Sequence, residues 1–342
     1  MSLPLLLAAF TVGCLGPPQD TASLARFEFT QPQMGLPFRI VLYAADQTAA
    51  ESAARAAFAR IRQLNDILSD YDTDSELSRL SRTAGEGRAV PVSADLWFAL
   101  ERSQALAART DGAFDPTVGP IVSLWRKARR EKKLPRPDSL TEARAAVGWE
   151  KLRLDPKART ATLLVPNMRL DLASVAKGYA VDEALRVLRV HSVTRALVAG
   201  AGDIAASDPP PGKKGWRIEV ASLDASNAPP SRFVLLQRTA LATSGDVFQH
   251  LEIGGVRYSH IVDPKTGLGL TDHSLATVIA PDCATANSLA TAVSVLGPQA
   301  GLKLIEDTPD TAVRIVRQPG TNIEAFESRR FTRHLDPKQT AE

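Results

Sequence analysis

The chain has 342 residues, 44% of them apolar, enough to bury the full core of one large domain or of two lobes built on shared sheets. Forty-one basic side chains face 38 acidic ones for a formal charge of +3, so no overall field marks nucleic acid as a partner. The two cysteines, Cys14 and Cys283, do not make a disulfide framework.

The opening stretch, MSLPLLLAAFTVGCLGPPQD, holds an apolar run of signal-peptide length, too short to span a bilayer as a helix, then small residues and a proline-rich exit. Residues 1–22 are therefore expected to be an export leader. Thr11-Val12-Gly13-Cys14 resembles the cleavage and lipidation box of bacterial lipoproteins, although Thr11 stands where Leu or Val is usual and no Lys or Arg precedes the run. The corresponding expectation is export to the periplasmic side of a bacterial membrane, with a lipid anchor at Cys14. No other stretch is long and apolar enough to cross a bilayer.

Two strand-like runs around Met34-Gly35 predict a leading hairpin. From Asp46 to Leu68 an alanine-rich stretch with Ile61, Leu64 and Leu68 at helical spacing predicts an amphipathic helix, followed by the polar segment SDYDTDSELSRL. Ser93 is an N-cap candidate for a helix to about Arg109, stopped at Asp111-Gly112; the loop beyond carries Phe114-Asp115-Pro116. The densest basic run, Arg126 to Lys133, reads as a solvated loop or fraying helix end rather than a binding patch.

After a short helix in RPDSLTEARAAVGW, the chain reads strand, turn, strand, loop, helix, the helix beginning near Ser174 and exposing Lys177 in its first turn. Strands joined by Gly- and Pro-bearing turns follow, then a late helix over ATANSLATAVSVLG. Runs of strands without alternating crossover helices predict an α+β fold of mostly antiparallel sheets with packed helices, and disfavour a doubly wound parallel sheet.

No Walker loop, G-x-G-x-x-G, CxxC pair or HExxH helix is present, which removes the commonest nucleotide and zinc readings. What remains is Met34-Gly35; SDYDTDSELSRL; GAFDPTVGPIVSLW; LDLASVAKGYAVD; ATSGD with YSHIVDPKTG; and ATANSLATAVSVLG. Each alone also fits an Asp-Pro turn, a helix cap or small-residue packing. In order and composition together they resemble the ApbE family, the FAD:protein FMN transferases, from about Met34 to Gly297. The resemblance implies an ApbE-like, T-fold-like domain over 23–330 with a C-terminal tail at 331–342. It also implies a Mg2+-dependent enzyme that takes FAD as substrate, joins FMN to a Thr or Ser hydroxyl of an acceptor flavoprotein, such as an electron-transfer chain subunit, and releases AMP.

By the same resemblance Asn287 and Thr291, four apart on one helix face, would hold the metal with the backbone carbonyl of Ser174. Family members commonly carry Asp at the position of Asn287, and a helix N-cap is the other reading of this residue. Met34, Tyr71, Ala113, Phe114, Asp115, Asp171, Lys177 and Ile261 match FAD-contacting positions; a carboxylate suits a flavin or ribose donor, an ammonium suits a phosphate, and the aromatic and thioether groups could equally fill the core. An attacking hydroxyl needs a base, and His260 is the candidate, with Asp263 orienting the ring or taking the proton itself; the segment could instead chiefly shape the nucleotide pocket. The other four histidines fall outside the blocks. Ala201-Gly202-Asp203 stands where the family has Gly-Gly-Asp. A non-catalytic FAD-binding protein and an FAD pyrophosphatase giving FMN and AMP are the alternative functions.

Overall fold

The computed structural model describes residues 24–200, 202–223, 230–247 and 249–338; the expected leader with Cys14, and Ala201, lie outside them. In chain order the elements begin with β1 (Ala25–Gln33) and β2 (Leu36–Ala44), α1 (Gln47–Leu68), α2 (Glu76–Ser81), β3 (Val90–Pro91), α3 (Ala94–Arg109), α4 (Gly119–Glu131) and α5 (Pro137–Ala145). Then come β4 (Leu152–Asp155), β5 (Thr160–Leu163), α6 (Ala173–Val190), β6 (Ala196–Gly200), β7 (Asp203–Ala206), β8 (Trp216–Val220), β9 (Arg232–Leu236) and β10 (Thr239–Gly245). The chain continues through β11 (His250–Ile253), β12 (Val256–Ser259), β13 (His273–Ala280), α7 (Cys283–Glu306), β14 (Ala312–Gln318) and β15 (Glu324–Glu327).

An eight-stranded sheet in the order β1-β2-β6-β7-β10-β13-β14-β15 is antiparallel at every pairing, as expected from the strand runs. Both faces are covered, and the period of two divides its side chains between two cores. Ile40, Leu42, Val198, Ala240, Ala242, Val278 and Val313 join the main core with the helices, whereas Val41, Leu197, Leu241, Ile279 and Ala312 meet Trp216 and Val234 of the β8–β9 ribbon. Helix α1 starts where Asp46 accepts from Ala49 N at 2.8 Å, and its alanine face lets it lie close on α6.

One expectation needs correction and a second needs narrowing. Residues 331–336, set apart as part of a tail, are built into the second core: Phe331 is fully buried there, worth about 1.5–3 kcal/mol, and Asp336 pairs with Arg217 at 2.7 Å. The basic run from Arg126 is the C-terminal end of α4, one of the two expected readings, and most of it is exposed, but Arg126 itself is turned into an ion-pair network. Periodicity missed this because arginine buries its stem and guanidinium when carboxylates wait for it.

Candidate active site

The N-terminus of α7 packs against the middle of α6. Asp171 starts α6 by accepting from Ala173 N at 3.0 Å, and Asp282 caps α7 by accepting from Thr285 N at 2.8 Å. Asn287 therefore sits a turn inside α7, and the N-cap reading of it falls. Asp182 of α6 reaches the same N-terminus and accepts from Cys283 N at 2.8 Å and Ala284 N at 2.9 Å. Burial pushes the Asp182 carboxyl up to about 7 against those two donors. Gly178 makes this contact possible: a Cβ there would lie 2.2 Å from the Cys283 carbonyl oxygen.

Beside this junction, Asp203 opens β7 with no exposed surface, and Asn287 is 4% exposed. Asn287 Nδ2 donates to both Asp203 carboxylate oxygens at 3.0 Å, and Lys177 Nζ stands 3.7 Å from Asp203 Oδ2. Lys177 is half-buried and paired, not displayed on an open helix face as expected. Burial pushes the Asp203 carboxyl up to about 6, with Lys177 and the Asn287 amide pulling the other way. Asn287 Oδ1 is buried and has no hydrogen-bond partner. Thr291 Oγ1, one turn further on the same face, donates to the Asn287 carbonyl at 3.3 Å.

A magnesium ion takes oxygen ligands, and this place offers an orphaned amide oxygen and the Thr291 hydroxyl one turn on. Among the described residues no group of three or more His, Cys, Asp or Glu side chains is set to hold a metal. The donor set thus fits a hard cation through neutral oxygens near one buried carboxylate.

His260 follows β12. Its Nδ1 lies 3.1 Å from the Gln249 carbonyl, which can only accept, so Nδ1 carries the proton and Nε2 keeps its lone pair. Burial, joined by the positive charges of Arg129 and Lys177, lowers its pKa to about 4 despite the Gln249 bond, so the ring is neutral at pH 7. Asp263 does not orient the imidazole. Its carboxylate accepts from Lys265 N at 2.9 Å and its carbonyl accepts from Gly267 N at 2.8 Å, closing the Asp-Pro turn.

On the outer side Tyr71 is 74% exposed, with the Arg126 guanidinium 4.0 Å from its ring centre. Arg126 also bonds Asp70 and, at 3.1 Å, Asp171, while Arg169 reaches the Asp70 backbone oxygen. Burial and the neighbouring Asp70 charge raise the Asp171 carboxyl, against the pull of Arg126. The 113–117 loop joins this side because Asp171 N donates to the Pro116 carbonyl at 2.9 Å.

The other sequence-predicted contacts are placed less openly. Ala113, Phe114 and Asp115 are all buried; the Phe114 ring belongs to the main core, and Asp115 accepts from Thr117 N and Oγ1 at 2.7 and 2.6 Å. The expected stacking face on Phe114 is therefore absent, and core filling prevails. Met34 sits at the β1–β2 turn with φ of 50° and packs partly on the core; Ile261 is buried and donates to Ser259 Oγ at 3.0 Å.

Sequence reasoning did not single out Asp70, Arg126, Gly178 or Asp182, and it dismissed His273. That ring bonds the buried Asp246 of the ATSGD block at 2.8 Å, and Asp246 also pairs with Arg257. Burial alone would raise the Asp246 carboxyl, but Arg257 and His273 hold it below the usual range. The block ATSGD was the available signal, since an Asp after Ser-Gly in a strand end needs partners when buried.

An α+β scaffold that buries a carboxylate against a lysine and an amide, and leaves that amide's oxygen without a hydrogen-bond partner among the described residues, has the makings of a binding site. The model of the ApbE family matches residues 34–315, most of the chain. The FAD:protein FMN transferase of Haemophilus influenzae is 34% identical over 263 residues, covering 75% of this chain and 76% of that one. That of Vibrio cholerae is 32% identical over 261 residues, covering 75% and 77%. In structure, the Pseudomonas stutzeri flavinyl transferase ApbE in its apo form superposes with a TM-score of 0.81 at 29% identity, covering 92% of this chain and 98% of that one. The chain belongs to the ApbE family and is an enzyme of the transferase class.

Proposed function

We propose that this chain binds FAD, holds Mg2+ at Asn287 and Thr291 with the Ser174 carbonyl, and transfers FMN to a Thr or Ser hydroxyl of an acceptor flavoprotein with release of AMP. The names of its relatives support flavin transfer. The observation that carries the reading is the buried Asp203–Asn287 pair with Lys177 at 3.7 Å, which leaves Asn287 Oδ1 without a hydrogen-bond partner among the described residues.

The Lys177 ammonium suits a phosphate oxygen, and it stands 3.7 Å from Asp203, the partner of Asn287. When bound, the divalent cation neutralises pyrophosphate charge and lowers the cost of the leaving phosphate. His260 Nε2 takes the proton of the acceptor hydroxyl as its oxygen bonds to the FMN-side phosphorus, and the phosphorus–oxygen bond to AMP breaks. The ring's hydrogen bond to Gln249 fixes which nitrogen does this. Tyr71 offers its open face to a flat ring of the dinucleotide, with Arg126 held against it. Asp263 serves by keeping the turn after His260 rigid.

Incubation with FAD, Mg2+ and an acceptor domain, followed by intact-mass measurement of the acceptor, tests the proposal. The expected result is an FMN-sized gain and one AMP per transfer. AMP without mass gain would assign hydrolysis instead, and FAD binding without either product would leave a flavin-binding protein. Export and a lipid anchor at Cys14 complete the proposal for where the enzyme works; fractionation of cells producing the full chain and its Cys14→Ala variant checks it, with loss of membrane association expected on substitution. Among the described residues no helix is long and apolar enough to cross a membrane.

A further inference from the structure

We infer that Asp203 is a positioning residue for a divalent cation: it fixes the Asn287 amide with its oxygen outward and supplies the negative charge that the amide lacks. This rests on the proposed placement of the cation at Asn287. Asp203 comes from β7 and Asn287 from α7, so the pair is a contact between distant parts of the chain, 84 residues apart.

The orientation follows from chemistry. A carboxylate only accepts, and both Asp203 oxygens lie 3.0 Å from one amide nitrogen, so the NH2 group must face Asp203 and Oδ1 must face away. That oxygen is then left buried without a partner, a state that costs about 1–3 kcal/mol unless another group satisfies it. A simple tie between β7 and α7 needs no such orphan. A cation does: it takes an amide oxygen as ligand and gains from a carboxylate one amide away. Lys177, at 3.7 Å, balances the Asp203 charge before the ion arrives and keeps the carboxylate from being an isolated buried anion. The Asp203–Asn287 unit thus performs together what one directly ligating carboxylate would perform alone.

The test compares wild type with Asp203→Asn, Asn287→Asp and the exchanged double variant carrying both. Mn2+ is the probe, its binding read by electron paramagnetic resonance and calorimetry in the absence of FAD, with thermal melts alongside. Asp203→Asn is expected to weaken Mn2+ binding by at least about tenfold, the range lost when an outer partner of a metal ligand is removed. Asn287→Asp should bind at least as tightly as wild type, and the double variant should recover to within about threefold of it, since the charge is restored one position over. Wild-type affinity in Asp203→Asn overturns the inference, as does a folded double variant no better than Asp203→Asn. Should Asp203→Asn fail to melt cooperatively, the double variant alone decides. Absence of Mn2+ binding to wild type itself would instead overturn the metal placement on which the inference rests.

Discussion

The inner and outer halves of the site are built from similar residues and end in opposite states. Outside, two carboxylates, Asp70 and Asp171, face two guanidiniums, Arg126 and Arg169, and the network closes on itself. Inside, one carboxylate and one ammonium leave an amide oxygen without a hydrogen-bond partner among the described residues, and the Gln249 bond to Nδ1 of His260 leaves Nε2 its lone pair. A closed network costs ordering only once and holds a recognition surface such as Tyr71 in place. An open one retains atoms that a substrate or ion must complete, and that is where chemistry is possible.

The sharpest way to break this contrast is His260→Ala. A positioned general base is worth about 10²–10⁴-fold, so transfer to the acceptor should fall by that much while FAD binding, followed by flavin fluorescence, changes little. Retained turnover would move the base elsewhere and leave the inner half a binding site only.

Next comes the outer half. Tyr71→Ala removes an exposed stacking face worth about 1–2 kcal/mol, so FAD affinity should weaken by about tenfold, appearing in KM more than in kcat. Arg126→Gln leaves the ring but takes away its cation and strands Asp70 and Asp171. A loss of about threefold in affinity is expected, together with a lower melting temperature, because one partner of a part-buried network is gone. If Arg126→Gln cost more affinity than Tyr71→Ala, the guanidinium itself would be the contact, and the outer network would not be closed.

How much of this was legible beforehand divides along the same line. The antiparallel plan, the hairpin at Met34-Gly35, the Asp46-led helix and the Ser93 cap follow from local pattern, and local pattern held. The inner site was legible through Lys177, Asn287 and His260, because they sit in blocks that resemble a family. Asp203 stands out in the sequence only as the end of the segment that matches the family's Gly-Gly-Asp, with nothing to pair it with Asn287. Arg126 was misread because charge runs signal solvent until a carboxylate from elsewhere is known, and Asp70 lies 56 residues away. Gly178 and Asp182 lie in the block LDLASVAKGYAVD, yet nothing local shows their role, because each matters for its fit to α7 about a hundred residues later. For Phe114 the sequence leaves ligand contact and core filling equally open, a choice that only tertiary burial decides, and the ring lies in the main core.

The smallest expected effect concerns the proton on His260. Its folded-state pKa, about 4, lies below the ordinary value of 6.5, so between those two pH values the unfolded chain binds the extra proton. Stability from this group is therefore fully present above pH 6.5 and is lost as pH falls toward 4. The full shift would be worth about 3 kcal/mol, reduced to about 1–2 for a ring that water partly reaches. Melts of metal-free protein from pH 7 to pH 4 should fall more steeply for wild type than for His260→Gln, which cannot take that proton. Parallel curves would mean that folding leaves the ring's pKa at its ordinary value, so that burial does not hold the imidazole neutral below pH 6.5. The outer network offers a control: Arg126→Gln should lower the whole curve without removing the His260 slope, because Arg126 is not among the charges that set this ring's pKa.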